Sequence, residues 1–178
     1  MDDYFLQDYS CEQIEEVILG NYYQEELQQI QVLHKELLRY SMKNNNSNEV
    51  GMLVSLIDWK YIVIYGTENG ISLSTVPQAK ELVCTAPRNS LLFLHNHPKN
   101  SIFSETDLES FLTADSILMA TVVCNNGKQY FLAKTPLFDK YKALVYYDEV
   151  YGLTEEGSVK EFLRTCKKAG LDYNYGGG

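Results

Sequence analysis

Leu91-Leu92-Phe93-Leu94 runs straight into His95 and leaves no polar position on either side of a strand. A half-exposed strand alternates polar with apolar residues. One that is apolar at consecutive positions needs cover on both faces. LLFLH is therefore read as a central buried strand, with layers packed above and below it. At 178 residues and 45% hydrophobic content, the chain is long enough to supply those layers within a single domain spanning 1–178.

The flanking sequence offers suitable partners. Gln24 to Met42 places Leu27, Ile30, Leu37 and Leu38 on one helical stripe. His34 falls in that stripe and is read as a satisfied core or boundary histidine, not a ligand. Nearer the start, SCEQIEEVILG gives a shorter helix with Ser10 as its cap and Ile14, Val17 and Ile18 on one face. After the polar turn KNNNSN, EVGMLVSLID and KYIVIYG have strand character and suggest an antiparallel pair. ISLST is a candidate third strand, and Pro77 opens a short helix, PQAKELVCTA. ILMATVVC and QYFLAK flank Asn-Asn-Gly-Lys as a hairpin. Beyond Leu137 the pattern is helical, with a last helix near Ser158 to Ala169, and the closing YGGG is expected to fray. The fold class is α+β, a mostly antiparallel central sheet flanked by helices.

Charge and composition narrow the function. A formal charge of −9 disfavours nucleic acid or an anionic membrane surface as the main partner, since both select a basic face. No apolar run reaches the roughly 20 residues needed to span a bilayer, and MDDYFLQDYS lacks the basic and apolar regions of a signal peptide. Cys11, Cys84, Cys124 and Cys166 are scattered without a Cys-x-x-Cys pair, as free thiols of a reducing compartment would be. The expectation is a cytoplasmic protein.

The chemistry lies where the buried strand ends, in HNHPKNSIFSETD. His95 and His97 are two apart on an extended segment, so their side chains point the same way. Pro98 stops the ladder, and the loop returns to Ser104, which caps a helix whose first turn carries Asp107. Two imidazole nitrogens and one carboxylate oxygen form a known ligand set for catalytic zinc. Ser-x-x-Asp is also a capping box, so the metal reading rests on its conjunction with His-x-His. Glu105 and Glu109 are nearby alternative ligands, but only Asp107 keeps the Ser-x-x-Asp relation. The letters H-N-H do not indicate an HNH nuclease, whose name residues are dispersed through a ββα unit in a usually basic chain.

His-x-His-Pro followed by Ser-x-x-Asp resembles the signature of the JAMM (MPN+) zinc metalloproteases. The resemblance covers a core of about 24–134, leaving an N-terminal helical segment (1–23) and a C-terminal helical extension (135–178). It implies the JAMM, cytidine-deaminase-like sandwich. It implies zinc held by His95, His97 and Asp107, with Glu49, at a helix-to-strand junction, as the general base. It also implies that the Ser104 hydroxyl helps hold the oxyanion. Two features depart from the family pattern: the His97-to-Asp107 spacing is one residue shorter, and Glu49 is followed by Val-Gly where the family has two residues and Gly. The short loop is most similar to JAB-like domains of bacterial mobile elements and polymorphic toxin systems, and the HNHP core also resembles RadC-like proteins.

The resemblance implies a peptidase or isopeptidase that hydrolyses an amide with zinc-activated water, acting on a protein, a peptide or a ubiquitin-like conjugate. A non-catalytic MPN-type scaffold would be expected to have lost a ligand, and a RadC-like accessory protein of mobile DNA fits the acidic charge less well. The terminal Tyr-Gly-Gly-Gly is read as a flexible end, not as a ubiquitin-like diglycine tail.

Overall fold

A computed structural model describes residues 24–151 and 158–176. The expected helix around Ser10, Ile14, Val17 and Ile18 lies outside the described residues, as does Cys11. The elements in chain order are α1 (Gln24–Asn44), β1 (Val50–Ser55), β2 (Tyr61–Tyr65), α2 (Pro77–Thr85) and β3 (Leu91–His97). They continue as α3 (Glu105–Thr113), β4 (Ile117–Cys124), β5 (Gln129–Lys134), α4 (Lys140–Tyr151), α5 (Ser158–Thr165) and β6 (Leu171–Gly176). The strands form one sheet in the order β2-β1-β3-β4-β5-β6. Only β3 and β4 run parallel; every other neighbouring pair is antiparallel. This is the expected α+β arrangement.

Strand β3 lies between β1 and β4, and all seven of its residues are buried. The cover demanded by LLFLH comes from two directions. On one face α1 buries Leu27, Ile30, Leu33, Leu37 and Leu38 against Met52, Val54, Leu92 and Leu94. On the other, Phe93, Ala120 and Leu132 join Leu108, Phe111, Tyr147 and Phe162 from α3, α4 and α5. Ala143, Phe162 and Leu171, from the segment after Lys134, belong to that same cluster. No described helix is long and apolar enough to cross a membrane.

Local chemistry accounts for the turns. Gly127 takes φ 86 in the β4–β5 hairpin, where its N–H donates to the Cys124 carbonyl at 2.9 Å, as Asn-Gly turns favour. His34 is fully buried, with Nδ1 at 2.8 Å from Gln129 Oε1 and Nε2 at 2.7 Å from Thr121 Oγ1. It is a satisfied core histidine.

Two expectations fail. ISLST is not a strand: Leu73–Thr75 form a 3-10 turn with no buried residue. There Thr75 Oγ1 donates to the Ser72 carbonyl at 2.7 Å, and the Ser72 and Ser74 hydroxyls pair at 2.8 Å. Hydroxyl side chains are competing with the ladder for the backbone. The terminus differs too, since Tyr175 and Gly176 do not fray but pair with Tyr130 and Gln129 at the end of β6. Gly170 makes that strand possible by turning the chain at φ 71, where a Cβ would lie 2.7 Å from the Leu137 carbonyl.

Candidate metal centre

Strand alternation builds the centre. Phe93, His95 and His97 share one face of β3, and the His95 ring stacks on Phe93 with centroids 5.1 Å apart. The two imidazoles converge, with Nε2 atoms separated by 3.1 Å. From α3, Asp107 places Oδ1 at 3.3 Å from His95 Nε2 and Oδ2 at 3.4 Å from His97 Nε2. Among the described residues, these three form the group of side chains that could hold a metal ion. Glu105 instead accepts a hydrogen bond from the Tyr151 hydroxyl at 3.2 Å, and neither it nor Glu109 joins the group.

The separations suit a shared cation. Donors held at about 2.0–2.2 Å in a tetrahedron lie about 3.3–3.6 Å from one another, close to the spacings observed. Tautomer control points the same way. His97 Nδ1 lies 3.0 Å from the Ser101 carbonyl; donation there leaves the Nε2 lone pair facing the centre, as outer partners of metal-ligating histidines commonly arrange. His95 has no such partner: its Nδ1 is buried and unpaired, so packing on Phe93 and Phe103 orients the ring.

Ser104 and Asp107 form a complete capping box. The Ser104 N–H and hydroxyl donate to Asp107 Oδ2 at 2.7 and 2.6 Å, while Ser104 Oγ accepts from the Asp107 N–H at 3.1 Å. Capping and presentation of the carboxylate are thus one interaction. Its second oxygen, Oδ1, stays turned toward His95.

Glu49 reaches the same place from the other side of the sheet order. Its N–H donates to the Thr67 carbonyl at 3.1 Å, and its carbonyl accepts from Gly66 N–H at 2.9 Å. Asn45 Nδ2 also donates to that carbonyl, at 2.8 Å. The side chain is buried, with Oε1 4.0 Å from His97 Nε2. A Cβ at Gly51, next along on this face, would meet Ile71 Cδ1 at 2.6 Å and Phe93 Cε2 at 3.0 Å, so the Ile71 side chain would have to shift to admit one.

The electrostatics are those of a buried anionic pocket. Burial opposes ionisation of Asp107, but the charges and hydrogen bonds of His95 and His97 outweigh it and hold the carboxyl far below the usual range. Burial also pulls His97 down, yet Asp107, Glu49 and the Ser101 carbonyl together raise its pKa above the ordinary value. Glu49 is pushed up by burial, against the opposing pull of His95 and His97. A cleft of about 280 Å³ opens onto Glu49, His97, Ser104 and Asp107, and is bounded by Glu68, Asn69, Lys99 and Thr106.

All five expected site residues are therefore neighbours. Sequence reasoning missed Ser101, which orients His97, and Asn96, which lies between the histidines but faces the α1 side. Strand parity was the available signal for Asn96. Compared with protein-family models, curated proteins and solved structures, the chain gives no match in any of the three.

Proposed function

We propose that the chain is a zinc-dependent peptidase or isopeptidase of the JAMM type, hydrolysing an amide bond in a protein, a peptide or a ubiquitin-like conjugate. The observation that carries this reading is the convergence of His95 Nε2, His97 Nε2 and an Asp107 oxygen beside a buried glutamate at an open cleft. Zinc bound by two histidines and a carboxylate supplies Lewis-acid polarisation and lowers the pKa of a coordinated water to about 7.

The remaining work falls to the chain. His95 and His97 present imidazole lone pairs, the latter oriented by the Ser101 carbonyl. Glu49 accepts a proton from the water that adds to the scissile carbonyl carbon. It then delivers that proton to the departing amine nitrogen as the C–N bond breaks. Burial makes its carboxylate more basic than an exposed one, which suits this exchange. The Ser104 hydroxyl stands at the cleft and would support the oxyanion by turning its proton away from Asp107 Oδ2.

Glu49→Gln tests this role. The amide keeps the shape and cannot take up the proton, so metal content and melting temperature should persist. Hydrolysis should fall by about 10²–10⁴ on a panel of ubiquitin-like conjugates and peptides. Undiminished hydrolysis would reject Glu49 as base. A zinc-loaded wild type inactive across the panel would favour a protein-binding scaffold.

A further inference from the structure

Asn96 is the polar residue of β3 that turns away from the metal centre, into the layer occupied by Met52, Leu92, Leu94 and α1. It is fully buried, and a primary amide in that setting is tolerated only when bonded. Its Oδ1 accepts from the Val50 N–H at 2.7 Å, and its Nδ2 donates to Asn125 Oδ1 at 3.1 Å and Ser41 Oγ at 3.3 Å.

The Val50 bond occupies an unusual place. Paired register between β1 and β3 ends at Gly51 and His95. Two residues beyond Gly51, Glu49 directs its N–H and carbonyl to Thr67 and Gly66, toward β2. Val50, with the alternate orientation, faces β3. There its N–H donates to the Asn96 side chain. An amide side chain thus extends the β1–β3 pairing past its last backbone partners, at the point where Glu49 must face His97.

We propose that Asn96 is a positioning residue of this centre: through the Val50 N–H it fixes the end of β1 and so holds the Glu49 carboxylate in place against His95, His97 and Asp107. It touches neither substrate nor ligand atoms. The assignment rests on the metallopeptidase reading above. It separates two functions by element, since the three donors stand on β3 and α3 while the carboxylate depends on the β1 end. Loss of the clamp should displace Glu49 and leave the donors.

The test uses the full chain loaded with cobalt(II) and follows the visible spectrum against pH. Glu49→Gln removes a nearby negative charge and should lower the apparent spectral midpoint. Asn96→Ser should retain one cobalt per chain and lower the midpoint in the same direction, by about one pH unit for a carboxylate displaced a few ångströms. In the Glu49→Gln background, Asn96→Ser should add no further shift. Leu37→Ala, a core truncation in the same layer, should destabilise the fold without moving the midpoint. If Asn96→Ser fails to fold, Asn96→Thr, whose β-branched side chain suits a strand, is read the same way.

A wild-type midpoint in a cobalt-loaded Asn96 variant overturns the proposal. So does an equal shift in the Glu49→Gln background, an equal shift in Leu37→Ala, or loss of cobalt from a folded Asn96 variant. Wild type that binds no cobalt defeats the metallopeptidase reading itself, and the Asn96 role falls with it.

Discussion

Replacing Ser104 by alanine and by glycine separates two consequences of one hydroxyl. The Ser104 side chain caps α3 by accepting from the Asp107 N–H at 3.1 Å, and it donates to Asp107 Oδ2 at 2.6 Å. A serine cap lost to alanine costs about 0.5–2 kcal/mol, whereas glycine at the same position costs only about a few tenths. A hydrogen bond to a charged group contributes about 1.5–3 kcal/mol when well shielded; Ser104 is exposed, so the lower end applies. Ser104→Ala loses both and should cost about 2–3.5 kcal/mol, a fall of about 4–14 °C in melting temperature for a chain of this size. Ser104→Gly should lose clearly less. Zinc affinity should behave differently, because both variants remove the same donor from Asp107 Oδ2, and outer-partner losses typically cost 10–100-fold. Melting curves of the metal-free protein and competition with a chromophoric chelator measure the two quantities separately. If glycine restores zinc affinity along with stability, Ser104 acts only as a helix cap, and its role in orienting Asp107 is refuted.

His34 predicts an acid-sensitive core. Burial lowers its pKa from 6.5 to about 4, against the opposing Gln129 hydrogen bond. The folded state thus binds fewer protons than the unfolded state between those values. Its stabilising contribution is complete above about pH 6.5 and falls by about 3 kcal/mol as the pH drops to 4. Urea unfolding across that range should show this slope in the wild type and lose it in His34→Gln; parallel slopes would contradict it. Gly170→Ala should cost about 2 kcal/mol or more, since a left-handed φ of 71 and a 2.7 Å approach to Leu137 both resist a Cβ. Accelerated amide exchange in β6 with an unchanged zinc site is the expected signature. Unchanged melting would show that the turn relaxes.

Much of this arrangement was legible because it is written in local rules. Consecutive apolar residues placed β3 at the centre of the sheet, and parity put His95 and His97 on one face. A capping pattern brought Asp107 to the start of α3; Glu49 came not from a local rule but from the resemblance to the JAMM pattern, which puts a glutamate at a helix-to-strand junction. The misses share a different physics. ISLST has strand composition, but its hydroxyls bond locally at Ser72 and Thr75, a competition that propensity does not weigh. LDYNYG ends in residues that read as a loose tail, yet pairing with β5 orders it. The alternation of Leu171, Tyr173 and Tyr175 after Gly170 was the overlooked sign. Ser101 and Asn96 act through a turned carbonyl and a side chain facing the opposite layer. Parity placed Asn96 on the face opposite the histidines, but its partners Ser41, Val50 and Asn125 are distant in sequence; Ser101 meets His97 only four residues away, through a loop conformation that spacing does not encode.

The most direct measurement of the central claim is metal content in protein purified without chelator, measured beside Asp107→Asn and the double change His95→Ala and His97→Ala. The convergence of the three donors predicts about one zinc per wild-type chain by elemental analysis, with iron assayed in parallel because two histidines and a carboxylate also bind that metal. Zinc should be lost from the double variant and weakened in Asp107→Asn, while far-ultraviolet circular dichroism stays close to the wild type. Metal-free wild type that does not take up zinc on addition, or equal zinc in wild type and double variant, would contradict the assignment of His95, His97 and Asp107 as the metal centre.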